Sequence, residues 1–363
     1  MKTKLNRLLL PAAIIVLAVI VLSLVLAGYS KGSTIRIGFV MTGSADDIGW
    51  NGMHYTGVLS ACEQFDAKLL IKEDVLEGTG ECAKAIKELA DDGADMIILS
   101  SYGYPVEAAD TIALYPEISF YAISSDITSE NMTSFFGRMY QARYLAGIVA
   151  GMQSETGAVG YVAAMPNNEV IRGINAFALG VKSVSPDAKI NVVWTDSWDD
   201  AEAERAAVRL LIDKTDSDVI TYHQNQHNVA QAADEAGVYS IGYNTVAQGL
   251  SDKYLTAAVW NWESVYYEII REFIQGRANS VRRHWFSIDR GVVVLSEYSP
   301  LVDEQTRLAV EQAKADILAG QDVFSGEIYD NNGTLRCGEG ETMSDEMLFS
   351  SFDWFVDGVV IYE

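Results

Sequence analysis

From residue 34 onward, short apolar runs alternate with amphipathic ones. Apolar runs rich in β-branched and aromatic side chains predict strands at Ile35–Val40, Ala67–Ile71, Met96–Ser100 and Ser119–Ile123. Apolar positions at helical spacing predict helices between them, over Asn51–Phe65, Glu81–Asp91 and Tyr104–Tyr115. A second series follows a helix over Met139–Met152, which carries Gly147 and Gly151 on one face. Its strands are predicted at Val159–Ala163, Asn191–Trp194, Val219–Tyr222 and Tyr239–Gly242, and its helices at Val170–Val184, Asp200–Ile212 and Asn228–Ala236.

Strands alternating with helices of this length imply right-handed crossovers and parallel sheets. Two series in succession imply two α/β lobes facing each other. A later strand, Tyr254–Trp260, and the helix Glu263–Gln275 are expected to return to the first lobe. The expected division is therefore residues 34–136 with about 258–290 in lobe 1, and 137–257 with about 291–363 in lobe 2. Several crossings between lobes make a hinge, and a cleft between lobes is where small ligands sit.

Residues 1–33 break the pattern. Lys2, Lys4 and Arg7 precede an almost unbroken apolar run from Leu8 to Gly28, close to the ~20 residues that span a bilayer. A lipoprotein signal would carry Cys where Tyr29 stands. The segment is expected to remain as a membrane anchor rather than be cut near Ala27–Ser30. Either outcome places residues 34–363 outside the cytoplasm.

Composition narrows the function. With 363 residues and 49% hydrophobic content, the chain can bury a large core. Its 26 basic residues against 50 acidic ones give a formal net charge of −24, which argues against a nucleic-acid partner. Cys62, Cys82 and Cys337 sit in no metal-type pair. Cys62 and Cys82 can pair in an oxidising compartment, but all three read as small packing residues.

Catalytic signatures do not appear. GFVMTGSADDIG after the first strand has neither phosphate-cradling glycine spacing, and no G-x-S-x-G elbow occurs. His223 and His227 are four apart, but they straddle a strand end and a loop, so no metal site is expected. No cofactor is expected either, and the chemistry reads as recognition rather than turnover.

The stretch Ile35–Asn51 carries the first candidate contacts. In an open parallel sheet, ligands bind beyond the carboxyl ends of the strands. Asp47, Trp50 and Asn51 there supply an acceptor, a flat apolar face and an amide, which suits a planar ligand with polar edges. The plainer alternative is that Asp46 or Asp47 caps the helix and Trp50 packs inward. Other strand ends carry Ser101, Tyr102 and Tyr104; Ser125 and Asp126; Trp194 and Trp198; His223 and Asn225; Tyr243 and Asn244; and Trp260, Asn261 and Trp262. Loops at that edge face one cleft.

Several motifs give the chain a family resemblance. They include DIGWN (Asp47–Asn51), SSYGY (Ser100–Tyr104), FGRMYQARYLAGIVAGMQS (Phe136–Ser154), VVWTDSW (Val192–Trp198), AVWNW (Ala258–Trp262) and FSGEIYDNNG (Phe324–Gly333). With these, residues 34–363 resemble the basic membrane protein (BMP) family of ABC-transporter substrate-binding proteins, which take up purine nucleosides or related bases. The resemblance implies a type I periplasmic-binding-protein fold, two doubly wound α/β lobes joined by a multi-strand hinge. It also implies a purine partner, an ABC permease and a monomer.

Carried over by position, the resemblance makes Trp50 and Trp198 the stacking aromatics, beside Asn51, and Asp126 the group that addresses the base edge. Asp47, Tyr102, Asn225, Asn244 and Trp260 complete the expected ligand-binding set. Two positions depart from nucleoside-binding members. Asn244 stands where they carry Asp for the ribose, and Trp260 stands where they carry Lys. Those departures favour a free base over a nucleoside. The alternatives are a receptor for another small polar ligand such as a sugar, a membrane-anchored sensor, and an enzyme acting on nucleosides.

Overall fold

The computed structural model describes residues 34–350 and 352–362; the expected anchor at residues 1–33 lies outside them. Ile37, Phe39 and Val40 are fully buried in β1 (Arg36–Val40), so both faces of this strand are covered. That is why its apolar residues run on instead of alternating. Around β1 stand β2 (Lys68–Lys72), β3 (Met96–Leu99), β4 (Ser119–Ile123) and β5 (Met132–Gly137), with the late strand β11 (Arg283–Phe286). The order is β11-β5-β4-β3-β1-β2, parallel throughout, with Ile37 opposite both Leu69 and Met96.

The second sheet contains β6 (Ala158–Ala163), β7 (Lys189–Trp194), β8 (Val219–His223), β9 (Tyr239–Asn244), β10 (Tyr254–Trp260), β12 (Val293–Leu295) and β15 (Val359–Tyr362). Its order is β12-β10-β9-β8-β6-β7-β15, and only β12 runs antiparallel to its neighbour. A small hairpin of β13 (Ile328–Tyr329) and β14 (Leu335–Cys337) stands apart.

The crossover helices match the sequence pattern closely. They are α1 (Trp50–Gln64), α2 (Glu81–Asp91), α3 (Tyr104–Glu107), α4 (Ala109–Ala113), α5 (Met139–Gln153), α6 (Asn168–Val184), α7 (Ala201–Thr215) and α8 (Asn228–Ala236). The helix expected over Tyr104–Tyr115 is split at Ala108, whose backbone (φ −106°, ψ 8°) ends α3 and starts α4. Towards the C-terminus follow α9 (Trp262–Ile274), α10 (Glu304–Leu318) and α11 (Asp345–Ser350).

One expectation about the hinge is corrected. Strand β10 does not return to the first lobe; it pairs in parallel with β9 in the second sheet. The helix after it does return, packing along α1, and β11 follows it into the first sheet. The chain thus crosses between sheets after Gly137, after Trp260 and after Phe286. In the second lobe, α5 and α6 approach backbone to backbone. An added Cβ at Gly147 would lie 2.1 Å from the Phe177 carbonyl oxygen, and one at Gly180 2.0 Å from that of Tyr144. All three cysteines are free and buried.

Candidate functional site

The loop after β1 is tied together before it reaches the cleft. The Asp47 carboxylate accepts from the backbone N–H groups of Gly49 (2.8 Å) and Asn51 (3.1 Å) and from the Asn51 amide (3.2 Å). It therefore serves the exposed N–H groups at the start of α1, where a negative charge is favourable. Asn51 Oδ1 accepts from Thr42 Oγ1 at 3.1 Å and from the Gly43 N–H at 3.2 Å. Asn51 still faces the cleft, whereas Asp47 does not line it, so the expected contact at Asp47 is corrected to a helix cap.

These bonds fix Trp50. Its indole Nε1 donates to the Ser100 carbonyl at 3.0 Å. Its ring meets His54 (4.2 Å between centroids) and Trp262 (5.5 Å) edge to face. His54 is buried, shares a 2.5 Å hydrogen bond with the Tyr266 hydroxyl, and is held neutral because burial pushes its pKa well down. Trp50 thus presents a ring braced from behind by α1 and α9.

Trp198 comes from the opposite lobe, in the loop after β7, with 42% of its surface exposed. Both tryptophans line one cavity of about 420 Å³ between the lobes, within the range usual for small-molecule sites. The first lobe adds Thr42, Asn51, Glu77 and Ser101; the second adds Glu169, His223, Gln224, Asn225, Tyr243 and Asn244. Across the cleft the Trp50 N–H donates to Asn225 Oδ1 at 3.1 Å. That bond takes one of the two lone pairs of the Asn225 oxygen, and its amide nitrogen has no acceptor among the described residues.

The second-lobe wall is short of partners. Asn244 Oδ1, Gln224 Oε1 and His223 Nδ1 are buried with no hydrogen-bond partner among the described residues. Such atoms are costly to leave unpaired. Asn244 also holds a left-handed backbone (φ 68°), which aims this strand end and which Asn tolerates better than most residues. His223 is kept neutral by burial and, secondarily, by Arg143 and Arg172. Arg143 is wholly buried behind this wall, donating to the Tyr222 carbonyl at 2.8 Å and lying 4.1 Å over the Tyr243 ring. Burial raises the pKa of Glu169, while Arg172 and Arg143 pull it back.

Two expected residues stand next door. Tyr102 and Asp126 line an adjoining cavity of about 210 Å³, with Ser124, Asn167, Asn168, Glu169, Arg172 and Phe349. There the Tyr102 hydroxyl donates to Asp126 Oδ2 at 2.5 Å, a bond that pushes the Tyr102 pKa up to about 12. Only Glu169 borders both cavities.

Trp260 requires a correction, because it does not line the cavity. It is 3% exposed, stacked on Trp262 at 4.5 Å and 17°, and packed on Phe136 at 4.9 Å. A wider groove of about 900 Å³ runs along β11, away from the facing strand ends. Its charges are largely paired with one another, as in Arg138–Asp345 (2.6 Å) and His284–Glu272 (2.9 Å). His227, four residues after His223, has both ring nitrogens within hydrogen-bond reach of hydroxyls, those of Tyr222 and Thr245.

Sequence reasoning missed Glu169, Gln224, Thr42 and Glu77. Glu169 carries a signal that has a blander explanation, an acid in the first turn of a helix.

Known proteins resemble this chain along most of its length. The family model described as ABC transporter substrate-binding protein PnrA-like (Bmp) matches residues 34–323. A purine-binding protein of Brucella abortus is 30% identical over 90% of this chain and 93% of its own. A Haloferax volcanii protein with the provisional name of ABC transporter glucose-binding protein is 33% identical over 92% of this chain and 82% of its own. Among solved structures, a transcriptional activator of the comK gene from Bacillus halodurans superposes with a TM-score of 0.70 at 24% identity. It covers 79% of this chain and 99% of its own. A solute-binding protein of an ABC transporter system from Aeropyrum pernix gives 0.66 at 16% identity, over 86% and 95% of the two chains. These likenesses support the type I periplasmic-binding fold.

Proposed function

The chain belongs to the Bmp family of PnrA-like ABC transporter substrate-binding proteins, and from that premise we propose that it captures a purine, as free base or nucleoside, between its lobes for uptake. One observation carries the reading: Trp50 and Trp198 reach the same cavity from opposite lobes, with the Asn225 and Asn244 amides at its edge. Two flat faces with amide donors and acceptors between them match a planar heterocycle. Stacking on an aromatic side chain contributes ~1–3 kcal/mol per base, so two rings and edge hydrogen bonds reach micromolar affinity, about −8 kcal/mol. The protein's role is capture. As a substrate-binding protein of this type it works outside the cytoplasm and delivers to a permease. In this reading residues 1–33 hold it at the membrane, and it acts as a monomer.

A sugar is the second reading, favoured by the likeness to the Haloferax protein and by the use sugar sites also make of stacked tryptophans. Titration of tryptophan fluorescence separates the two. Adenine, hypoxanthine and guanine should each change the emission at micromolar concentration, and glucose should not. A response to glucose alone overturns the purine reading.

A further inference from the structure

The clearest unmet demand in the cleft lies at its second-lobe wall. Glu169 follows the capping residue Asn167 at the start of α6, and 27% of its side chain is accessible, at the boundary of the two cavities. Its carboxylate accepts no hydrogen bond among the described residues, and the charged or titratable group paired with it is His223, with Nε2 4.0 Å away. His223 is neutral, so the positive charge that Glu169 feels comes from Arg172 and Arg143. No lysine or arginine among the described residues lines the main cavity, because Arg143 is screened from it by the Tyr243 ring.

The neighbouring unpaired atoms share the demand. Gln224 Oε1 and Asn244 Oδ1 are acceptors without donors. Asn225, whose oxygen accepts from the Trp50 backbone N–H, has an amide nitrogen that finds no acceptor among the described residues. The wall therefore offers unpaired amide groups beside a carboxylate, and that carboxylate is its strongest acceptor. An acceptor-only carboxylate in a confined site has to find a donor on every ligand the site accepts. Among purine bases, the donor common to adenine, guanine and hypoxanthine is the imidazole-ring N–H. A glycosidic bond removes that hydrogen.

Resting on the purine reading, we propose that Glu169 is a specificity-determining contact that accepts the imidazole-ring N–H of a free purine base. The cleft then prefers bases to their nucleosides, and the second-lobe wall, not Asp126, makes that choice. The adjoining cavity leaves room beside the carboxylate.

Calorimetry on the purified protein tests this with adenine and 9-methyladenine, which differ only at the hydrogen in question. Wild type should bind adenine at least tenfold more tightly than 9-methyladenine. Glu169→Gln, nearly the same size, should lose at least tenfold for adenine and little for 9-methyladenine, erasing the preference. The comparison of ligands on wild type needs no variant to fold. Equal wild-type affinities for the two, or an equal loss for both in Glu169→Gln, overturn the assignment. Adenosine binding more tightly than adenine, with that advantage lost in Glu169→Gln, means the carboxylate takes a ribose hydroxyl and also overturns it. If glucose binds and neither purine does, the purine reading itself falls and takes the proposal with it.

Discussion

The Trp50 backbone N–H and the Asn225 side-chain oxygen meet at 3.1 Å across the cleft, joining the start of α1 to the loop after β8. Opening the cleft would break this contact, and the contact fixes the Asn225 side chain at the cavity wall. Ligand and latch therefore favour the same state, as expected when residues of both lobes complete one site. Asn225→Ala should reduce purine affinity by roughly 1–3 kcal/mol, the range for lost or orphaned hydrogen bonds. Small-angle scattering at saturating purine should then show a larger radius of gyration than wild type. Identical curves and affinities would remove the latch from the account.

The two tryptophans should fail differently. Each substitution, Trp50→Ala and Trp198→Ala, should cost purine binding ~1–3 kcal/mol. Trp50, packed on His54 and Trp262, should also lower the melting temperature, because its loss leaves a void in an aromatic cluster. Trp198, 42% exposed, should melt like the parent. Thermal scans beside titrations check both, and a Trp198 variant that binds normally would break the sandwich.

Asp126 has its own test. Its carboxylate is engaged by Tyr102 in the adjoining cavity, so Asp126→Ala should shift purine affinity by less than about 1 kcal/mol, the scale of a peripheral contact. The ranking of adenine, guanine and hypoxanthine should stay as in wild type. A reordered ranking in competition binding would return Asp126 to the base edge.

A buried acid in the second lobe sets a pH dependence. Glu204, in the first turns of α7, is fully buried, and burial raises its pKa to about 7. Its folded pKa exceeds its unfolded one, so the native state binds the extra proton between the unfolded value, about 4.3, and about 7. Stability contributed by the neutral form is present below the unfolded value and is lost as pH rises through the folded one. The loss amounts to at most roughly 4 kcal/mol by linkage. Denaturant midpoints of Glu204→Gln should be flatter over that window and higher than wild type at pH 8. Parallel curves for the two proteins would show that Glu204 does not titrate there.

Much of this arrangement is written in the chain in a form that periodicity reads. The strands of both sheets that are buried on both faces, such as Met96–Leu99, show as unbroken apolar runs. The loop Thr42–Asn51 shows as a polar break before a helix. What stays hidden is partnership. Tyr254–Trp260 is visible as a strand, but which sheet takes it depends on pairing with β9, a non-local choice that no local pattern records. Trp260 and Trp262 look alike as aromatics at a strand end, and only packing reveals that their rings stack on each other inside the protein. Asp47 and Glu169 are both acids near helix starts. The first is consumed by backbone N–H groups and the second is left open to the cleft, a difference that only the completed geometry makes visible.

Gly49 sits against the latch, and a methyl group there would lie 2.5 Å from Asn225 Oδ1. The gap between the lobes is thus narrow at this point, with room for a hydrogen but not for a methyl group while Asn225 stays in place. A membrane partner that responds to the loaded shape is, in effect, reading that gap. Gly49→Ala would keep both tryptophans but push the Asn225 side chain aside and break its bond to the Trp50 N–H, so the cargo would still be picked up while the lobes lose their tie. Uptake by cells should then fall further than binding does, separating the act of holding a solute from the act of announcing it.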